Sequence, residues 1–98
     1  MNEFEAIYDA VRAIPRGRVL AYGEVGAQCG ASARTVGWAM RTAPEGLPWW
    51  RVVGADGYLR TARRSPLLQE TQRRLLEAEG VHIGDDDRVA AEFFGADR

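Results

Sequence analysis

Ninety-eight residues, 46% hydrophobic and 28% charged, suit one domain with a modest core and the balance of an ordinary soluble globular protein. A formal charge of −1, one cysteine (Cys29) and one histidine (His82) argue against an internal disulfide, a conventional metal site or a serine–histidine triad. No apolar run approaches the roughly 20 residues of a membrane span, and the acidic start Met1-Asn2-Glu3-Phe4-Glu5 lacks the pattern of a signal peptide, so a cytoplasmic protein without cofactor or metal is expected.

Asn2 can cap a first helix in which Phe4, Ile7, Tyr8, Val11 and Ile14 recur at helical spacing, ended by Pro15-Arg16-Gly17. Val19-Leu20-Ala21-Tyr22 reads as a short extended link. Residues 23–29 read as a short helix stopped by Gly30, and Ser32 caps a second helix over 33–42 with Val36 and Met40 on one face. Two short helices around a Gly-containing turn suggest a helix-turn-helix. After a loop through Pro44, Gly46 and Pro48, residues 50–53 read as a strand. Ala55-Asp56-Gly57 is hairpin chemistry, with Tyr58-Leu59 returning to make a small wing. Ser65 and Pro66 open a third clear helix over 66–79, with Leu67, Leu68, Thr71, Leu75 and Leu76 facing inward. Gly80 closes it, Val81-His82-Ile83 forms a terminal strand, and an acidic tail over 84–98, with Asp85-Asp86-Asp87, is read as solvated surface. The fold class expected is mainly α with a small β-wing: a winged helix-turn-helix.

Charge is unevenly spread. Residues 12–64 hold nine arginines and three acids, a net +6 between acidic ends, and lysine is absent from the chain. A basic middle of this kind is what a polyanion-binding face requires. The second helix carries Ala33, Gly37 and Ala39 but one arginine, Arg34, near its start. A helix reading the major groove normally carries Arg, Asn or Gln for base contacts, so this smooth one fits a narrower groove. The competing explanation for the small residues is tight packing on the first helix.

Taken together, Ile14-Pro15-Arg16-Gly17-Arg18-Val19, Tyr22-Gly23-Glu24-Val25, Arg34-x-Val36-Gly37-x-Ala39-Met40, Pro48-x-x-Arg51-Val52-Val53 and Glu79-Gly80-Val81 resemble, in order and spacing, the C-terminal domains of O6-alkylguanine-DNA alkyltransferases. Those enzymes carry Pro-Cys-His-Arg-Val, the cysteine being the alkyl acceptor. Here Trp49 stands at the cysteine, which resembles the alkyltransferase-like proteins that bind alkylated guanine without repairing it. Trp50 stands at the histidine. Its indole N–H donates but cannot act as a base, which leaves the position free for packing, and a strand would send the two indoles to opposite faces. Ala43 stands where the enzymes have a hinge asparagine.

The resemblance implies double-stranded DNA containing O6-alkylguanine as partner, approached through the minor groove, with the base flipped and the lesion passed to nucleotide excision repair proteins. It implies a monomer, nucleoid-associated when bound to DNA. It implies a DNA-facing set of Tyr22, Ser32, Ala33, Arg34, Thr35, Gly37, Trp38 and Arg41, with Tyr22 pressing the 3′ phosphate and Arg34 filling the vacancy. It implies a lesion pocket of Tyr22, Trp49, Arg51, Val52, Val53 and Arg63, with Arg60 and Arg64 as alternatives to Arg63 over the base. Two other functions fit the residues: a sequence-specific winged helix-turn-helix transcription regulator, and an enzyme using Cys29. Cys29 is more simply a small packed thiol, and His82 an edge residue.

Overall fold

The computed structural model describes residues 4–95; the proposed Asn2 cap lies outside them. Helix α1, Glu5–Arg12, buries Ile7, Tyr8 and Val11 on one face, and Ile14 follows into the same core. Phe4 occupies the N-cap position. After the turn at Gly17 comes strand β1, Leu20–Ala21. Helix α2, Tyr22–Cys29, starts at once; the Glu24 carboxylate accepts the Ala21 N–H at 2.7 Å, the reach-back half of a capping box. Gly30 ends α2 with φ at +74°, a left-handed conformation that favours glycine. Gly26 is required for a different reason. A Cβ there would collide with the Ala31 carbonyl, so its absence lets the chain fold tightly into helix α3, Ala33–Arg41. Ser32 caps α3 by accepting the Thr35 N–H at 3.1 Å. These two helices pack closely, and the helix-turn-helix stands as expected.

The segment over 50–53 departs from expectation. Trp49–Arg51 is a turn of 3-10 helix and only Val52–Val53 is strand, β2. Strand β2 pairs with β1 in parallel, Leu20 opposite Val52 and Ala21 opposite Val53. The chain does reverse at Gly57, where the Gly54 N–H reaches the Tyr58 carbonyl at 2.9 Å. The returning residues make no ladder with β2. Tyr58 bridges Arg88, and the Leu59 N–H reaches the Asp87 carbonyl at 3.0 Å, so the wing closes on the chain's end. The strand expected at 81–83 is a single bridge, Ile83 with Val89.

The two-stranded sheet separates two cores. Leu20 and Val52 join Ile7, Val11, Val25 and Val36 on one side, while Val19 and Val53 join Leu59, Leu76, Val81 and Val89 on the other. Helix α4, Pro66–Ala78, is capped by Ser65, which accepts the N–H groups of Leu67 and Leu68. Its buried face is Gln72 and Leu76; Leu67, expected inside, is 69% exposed. Gln72 ties three segments together. It accepts the Thr61 hydroxyl at 2.7 Å and donates to the carbonyls of Trp50 and Val52, both at 3.1 Å. A buried amide so satisfied favours one arrangement of these segments.

Asp85 and Asp86 are exposed, as expected of a solvated acidic run, but the residues that follow are not a free tail. Val89 is buried, and Phe93 and Phe94 pack on the second core. Arg18 donates to the carbonyls of Glu92 (3.2 Å), Phe94 (2.6 Å) and Gly95 (3.1 Å). Asp87 pairs with Arg73 at 2.8 Å.

Candidate nucleic-acid interface

The parallel pair of strands sets the site. Both strands run toward the same end, where Tyr22 follows β1 and Gly54 follows β2. A cleft of about 490 Å³ opens there, lined by Tyr22 and Gly23 of α2 and by Ala33, Arg34, Gly37, Trp38, Met40 and Arg41 of α3. Trp49, Gly54 and Ala55 complete it, together with Arg60, Thr61, Arg63 and Arg64 around the 3-10 turn Arg60–Arg63. The size is that of a small-molecule site.

Its electrostatics are one-sided. Five arginines line the cleft and no carboxylate does. Elsewhere the described arginines other than Arg74 are satisfied by the protein: Arg12 by Asp9, Arg16 by the Ala78 carbonyl, Arg18 by the carbonyls of Glu92, Phe94 and Gly95, Arg51 by Glu79, Arg73 by Glu77 and Asp87, Arg88 by Asp86 and Asp56. In the cleft, among the described residues, the guanidinium groups of Arg34, Arg41, Arg63 and Arg64 have no acceptor. Arg60 lies 3.9 Å from Asp56, and its Nε is buried with no hydrogen-bond partner. Arg74, outside the cleft, is likewise unpaired. Four unpaired cations around one cleft are an anion-binding arrangement, and planar guanidinium suits phosphate.

The Tyr22 ring is half-buried against the first core. Burial raises its phenol above the ordinary tyrosine value, and Arg64 and Arg60 counter this in part, so the hydroxyl enters the cleft as a neutral donor at physiological pH. Gly37 of the smooth helix and Gly23 of α2 share one property. A Cβ at either would meet nothing within 4 Å, so neither is demanded by packing inside the protein. They leave open space on the surface that faces outward. Ala33 is exposed beside them, whereas Ala39 is fully buried and belongs to the core, not to the outward surface expected of it.

The two indoles diverge as expected, though for another reason than strand alternation. On a 3-10 turn successive side chains point about 120° apart. Trp49 packs on the first core and lines the cleft; Trp50 packs on the second. They meet edge to face at 6.0 Å. The Trp50 Nε1–H donates to Glu79 Oε2 at 2.8 Å.

Of the residues expected in the pocket, Tyr22, Trp49 and Arg63 line the cleft; Arg51, Val52 and Val53 do not. Arg51 is turned away to Glu79 and the Ile14 carbonyl, and both valines are core. Of the residues expected to face DNA, Tyr22, Ala33, Arg34, Gly37, Trp38 and Arg41 are gathered here, while Ser32 and Thr35 are bound to each other at the α3 cap. Arg60, Arg63 and Arg64 all reach the cleft. The sequence signal is the three-residue spacing of Arg60 and Arg63, which places both on one side of a 3-10 turn. The backbone around residues 52–54 was expected in the pocket, and Gly54 does line the cleft; Gly23, Met40, Ala55 and Thr61 were not anticipated. Cys29 is half-buried at the far end of α2, its thiol bonded to the Val25 carbonyl at 3.3 Å, and His82 is exposed against Phe93. Among the described residues no group of three or more His, Cys, Asp or Glu could hold a metal ion.

Residues 2–81 match the family model described as 6-O-methylguanine DNA methyltransferase, DNA binding domain. The chain is 35% identical over 88 residues to the DNA base-flipping protein of Vibrio parahaemolyticus, covering 86% of this chain and 85% of that one. It is 41% identical over 88 residues to Alkyltransferase-like protein 1 of Schizosaccharomyces pombe, covering 85% and 81%. The solved structure of S. pombe Atl1 in complex with damaged DNA containing O6-carboxymethylguanine superposes with a TM-score of 0.80 at 30% identity, covering 95% of this chain and 94% of that one. Mycobacterium tuberculosis O6-methylguanine methyltransferase superposes at 0.70 with 32% identity, and the match spans 52% of that longer chain. With its helix-turn-helix, its cleft at the ends of a parallel strand pair and these relatives, the chain belongs to the O6-methylguanine-DNA methyltransferase DNA-binding-domain family, as an alkyltransferase-like member.

Proposed function

We propose that this protein recognises O6-alkylguanine in duplex DNA without repairing it. It meets the minor groove with α3, rotates the damaged nucleotide into the cleft and holds the site for nucleotide excision repair. The observation that carries this proposal is the set of unpaired arginines around an aromatic cleft that Trp49 lines; the resemblance supports it by putting Trp49 at the acceptor cysteine of the family's enzymes. Extruding a base costs a few kcal/mol of stacking and pairing, less where alkylation has already weakened the pair. Arg34 is placed to return part of that by stacking in the vacancy, and Tyr22 to press on the backbone beside it. Trp49 gives the extruded base an aromatic face but no thiolate to accept the alkyl group. The protein acts as a monomer in the cytoplasm, nucleoid-associated when on DNA.

Titrating one duplex with and without a single O6-methylguanine tests the proposal, with intact-protein mass read after prolonged incubation. Tighter binding to the modified duplex and an unchanged mass are expected. Equal affinities would overturn damage recognition, and a stoichiometric gain of one methyl group would overturn the non-enzymatic part. A sequence-specific regulator would instead rank undamaged duplexes by sequence.

A further inference from the structure

Trp38 is the large side chain of α3 that the protein leaves open. It is 52% exposed, while Val36, Ala39 and Met40 of the same helix are buried. It stands one turn after Arg34, whose guanidinium carbon lies 5.3 Å from the centre of the Trp38 ring. Nothing of the protein lies within 4 Å of a Cβ built at the neighbouring Gly37, so that side of the helix is clear. Four cations of the cleft it lines, Arg34, Arg41, Arg63 and Arg64, lack acceptors among the described residues, and no carboxylate lines the cleft. An exposed indole among unpaired arginines complements a polyanion that also offers apolar sugars and the π-faces of bases, which is a nucleic-acid duplex.

We infer that Trp38 is a second duplex-engaging side chain: its indole packs on the sugar and base edges beside the extruded nucleotide and holds the Arg34 guanidinium stacked, level with the vacated site. This rests on the damage-recognition proposal for which nucleotide is extruded, but not for the contact itself. A long arginine side chain entering a base stack alone must give up its rotamer freedom at that moment. One already laid on an indole enters as part of a planar pair. Trp38 is thus a positioning residue for Arg34 as well as a contact in its own right.

The test compares wild type, Trp38→Phe, Trp38→Ala, Arg34→Ala and the Trp38→Ala/Arg34→Ala double variant. Each is titrated by fluorescence anisotropy with an O6-methylguanine duplex and its undamaged counterpart over a range of salt. Because Trp38 is exposed, Trp38→Ala is expected to keep the wild-type melting temperature. It should weaken binding to both duplexes roughly ten-fold, within the range of one aromatic–base stack, and leave the salt dependence unchanged because no charge is removed. Trp38→Phe should recover most of the affinity. Arg34→Ala should flatten the log K against log salt slope by about one. The double variant should lose less than the two single losses combined, as coupled neighbours do.

A Trp38→Ala protein that binds both duplexes as wild type does would overturn the inference. So would a wild type that self-associates in sedimentation while Trp38→Ala is monomeric with undiminished DNA affinity, since the indole would then serve a second copy of the chain. If wild type binds both duplexes equally, damage recognition fails, and Trp38 is judged on the undamaged duplex alone.

Discussion

Arg51 grips the Glu79 carboxylate with two of its nitrogens, Nη2 to Oε2 at 2.8 Å and Nε to Oε1 at 3.1 Å. The Glu79 side chain is only 4% exposed, and it also accepts the Gly17 N–H at 2.9 Å and the Trp50 indole N–H at 2.8 Å. One carboxylate therefore holds the turn after α1, the segment carrying both indoles, and the end of α4. Burial works against its charge, yet the donors from Arg51, Gly17 and Trp50 outweigh it and keep Glu79 below the usual carboxylate range.

Removing Glu79 should be severe. Glu79→Ala leaves the Arg51 guanidinium buried without its partner, a loss of roughly 3–5 kcal/mol. The pH dependence follows from the depressed value. Stability from this group is complete above the unfolded carboxyl value of about 4.3 and is lost as pH falls through the lower folded one. The gap in stability between wild type and Glu79→Gln should thus be widest near neutrality and shrink steadily on acidification below about pH 5. Chemical denaturation across that range measures it. A gap independent of pH would show that Glu79 is not ionised in the fold.

The two tryptophans should separate stability from recognition. Trp50 packs on the second core and is hydrogen-bonded to Glu79, so Trp50→Ala should cost about 3 kcal/mol, the lower end for truncating a large aromatic because it is half-buried. Its remaining folded fraction should still prefer alkylated DNA. Trp49→Ala should keep most of the stability and lose that preference, while retaining salt-sensitive binding to ordinary duplex. Melting curves together with paired duplex titrations decide. A stable Trp50→Ala that no longer discriminates would reverse the two assignments.

Gly37→Ala offers a sharper separation. The position is helical, with nothing within 4 Å of the added methyl. The folded protein should therefore gain up to about 1 kcal/mol from better helix propensity. The same methyl stands on the surface proposed to enter the groove, so DNA affinity should fall. Gly26→Ala is the contrast, since its Cβ would strike the Ala31 carbonyl and the protein should be destabilised. A Gly37→Ala protein that is more stable and binds DNA as well as wild type would remove α3 from the interface.

The arginines divide by partner, and their variants should divide likewise. Arg63→Ala and Arg64→Ala should each leave stability within about 0.5 kcal/mol, as for surface changes without partners. Each should lower the salt slope of duplex binding by about 0.9, the value for one phosphate no longer neutralised. Arg51→Ala, seated on Glu79, should behave oppositely, with a large drop in stability and no specific change of slope in the protein that remains folded. Denaturation and salt titration of the three variants together measure the division.

What the sequence revealed was local. Gly30 and Ser32 between two short helices, and Ser65-Pro66 at the start of α4, act within a few residues, so their turns and caps could be read directly. The strand expected over 50–53 is realised only at Val52–Val53: tryptophans followed by valines look extended, but the Gln72 side chain, twenty residues on, takes the carbonyls of Trp50 and Val52 and Trp49–Arg51 winds into a 3-10 turn. The packed end of the chain was invisible for the same reason, since its partners Arg18 and Val19 lie more than seventy residues earlier. The Arg51-Val52-Val53 motif misled in another way. The resemblance implied that it lines the pocket with Trp49, whereas the motif spends its arginine and valines on scaffold. The unpaired state of Arg34, Arg41, Arg63 and Arg64 could not be read at all, because it depends on which acids the fold brings near.

The register of Leu20 with Val52 and Ala21 with Val53 has a thermodynamic consequence for recognition. Tyr22 and Gly54 leave two strands that are hydrogen-bonded to each other and rooted in both cores, so the backbone of the cleft is held in place before any partner arrives. With Arg34 laid on Trp38, the freedom that binding must remove then resides in the guanidinium arms of Arg41, Arg63 and Arg64, at about 0.5–1.5 kcal/mol for each side chain immobilised. Such a surface is rigid where it must match the contour of a groove. It is loose only where charged tips must find phosphates whose positions vary with the bend of the helix they approach.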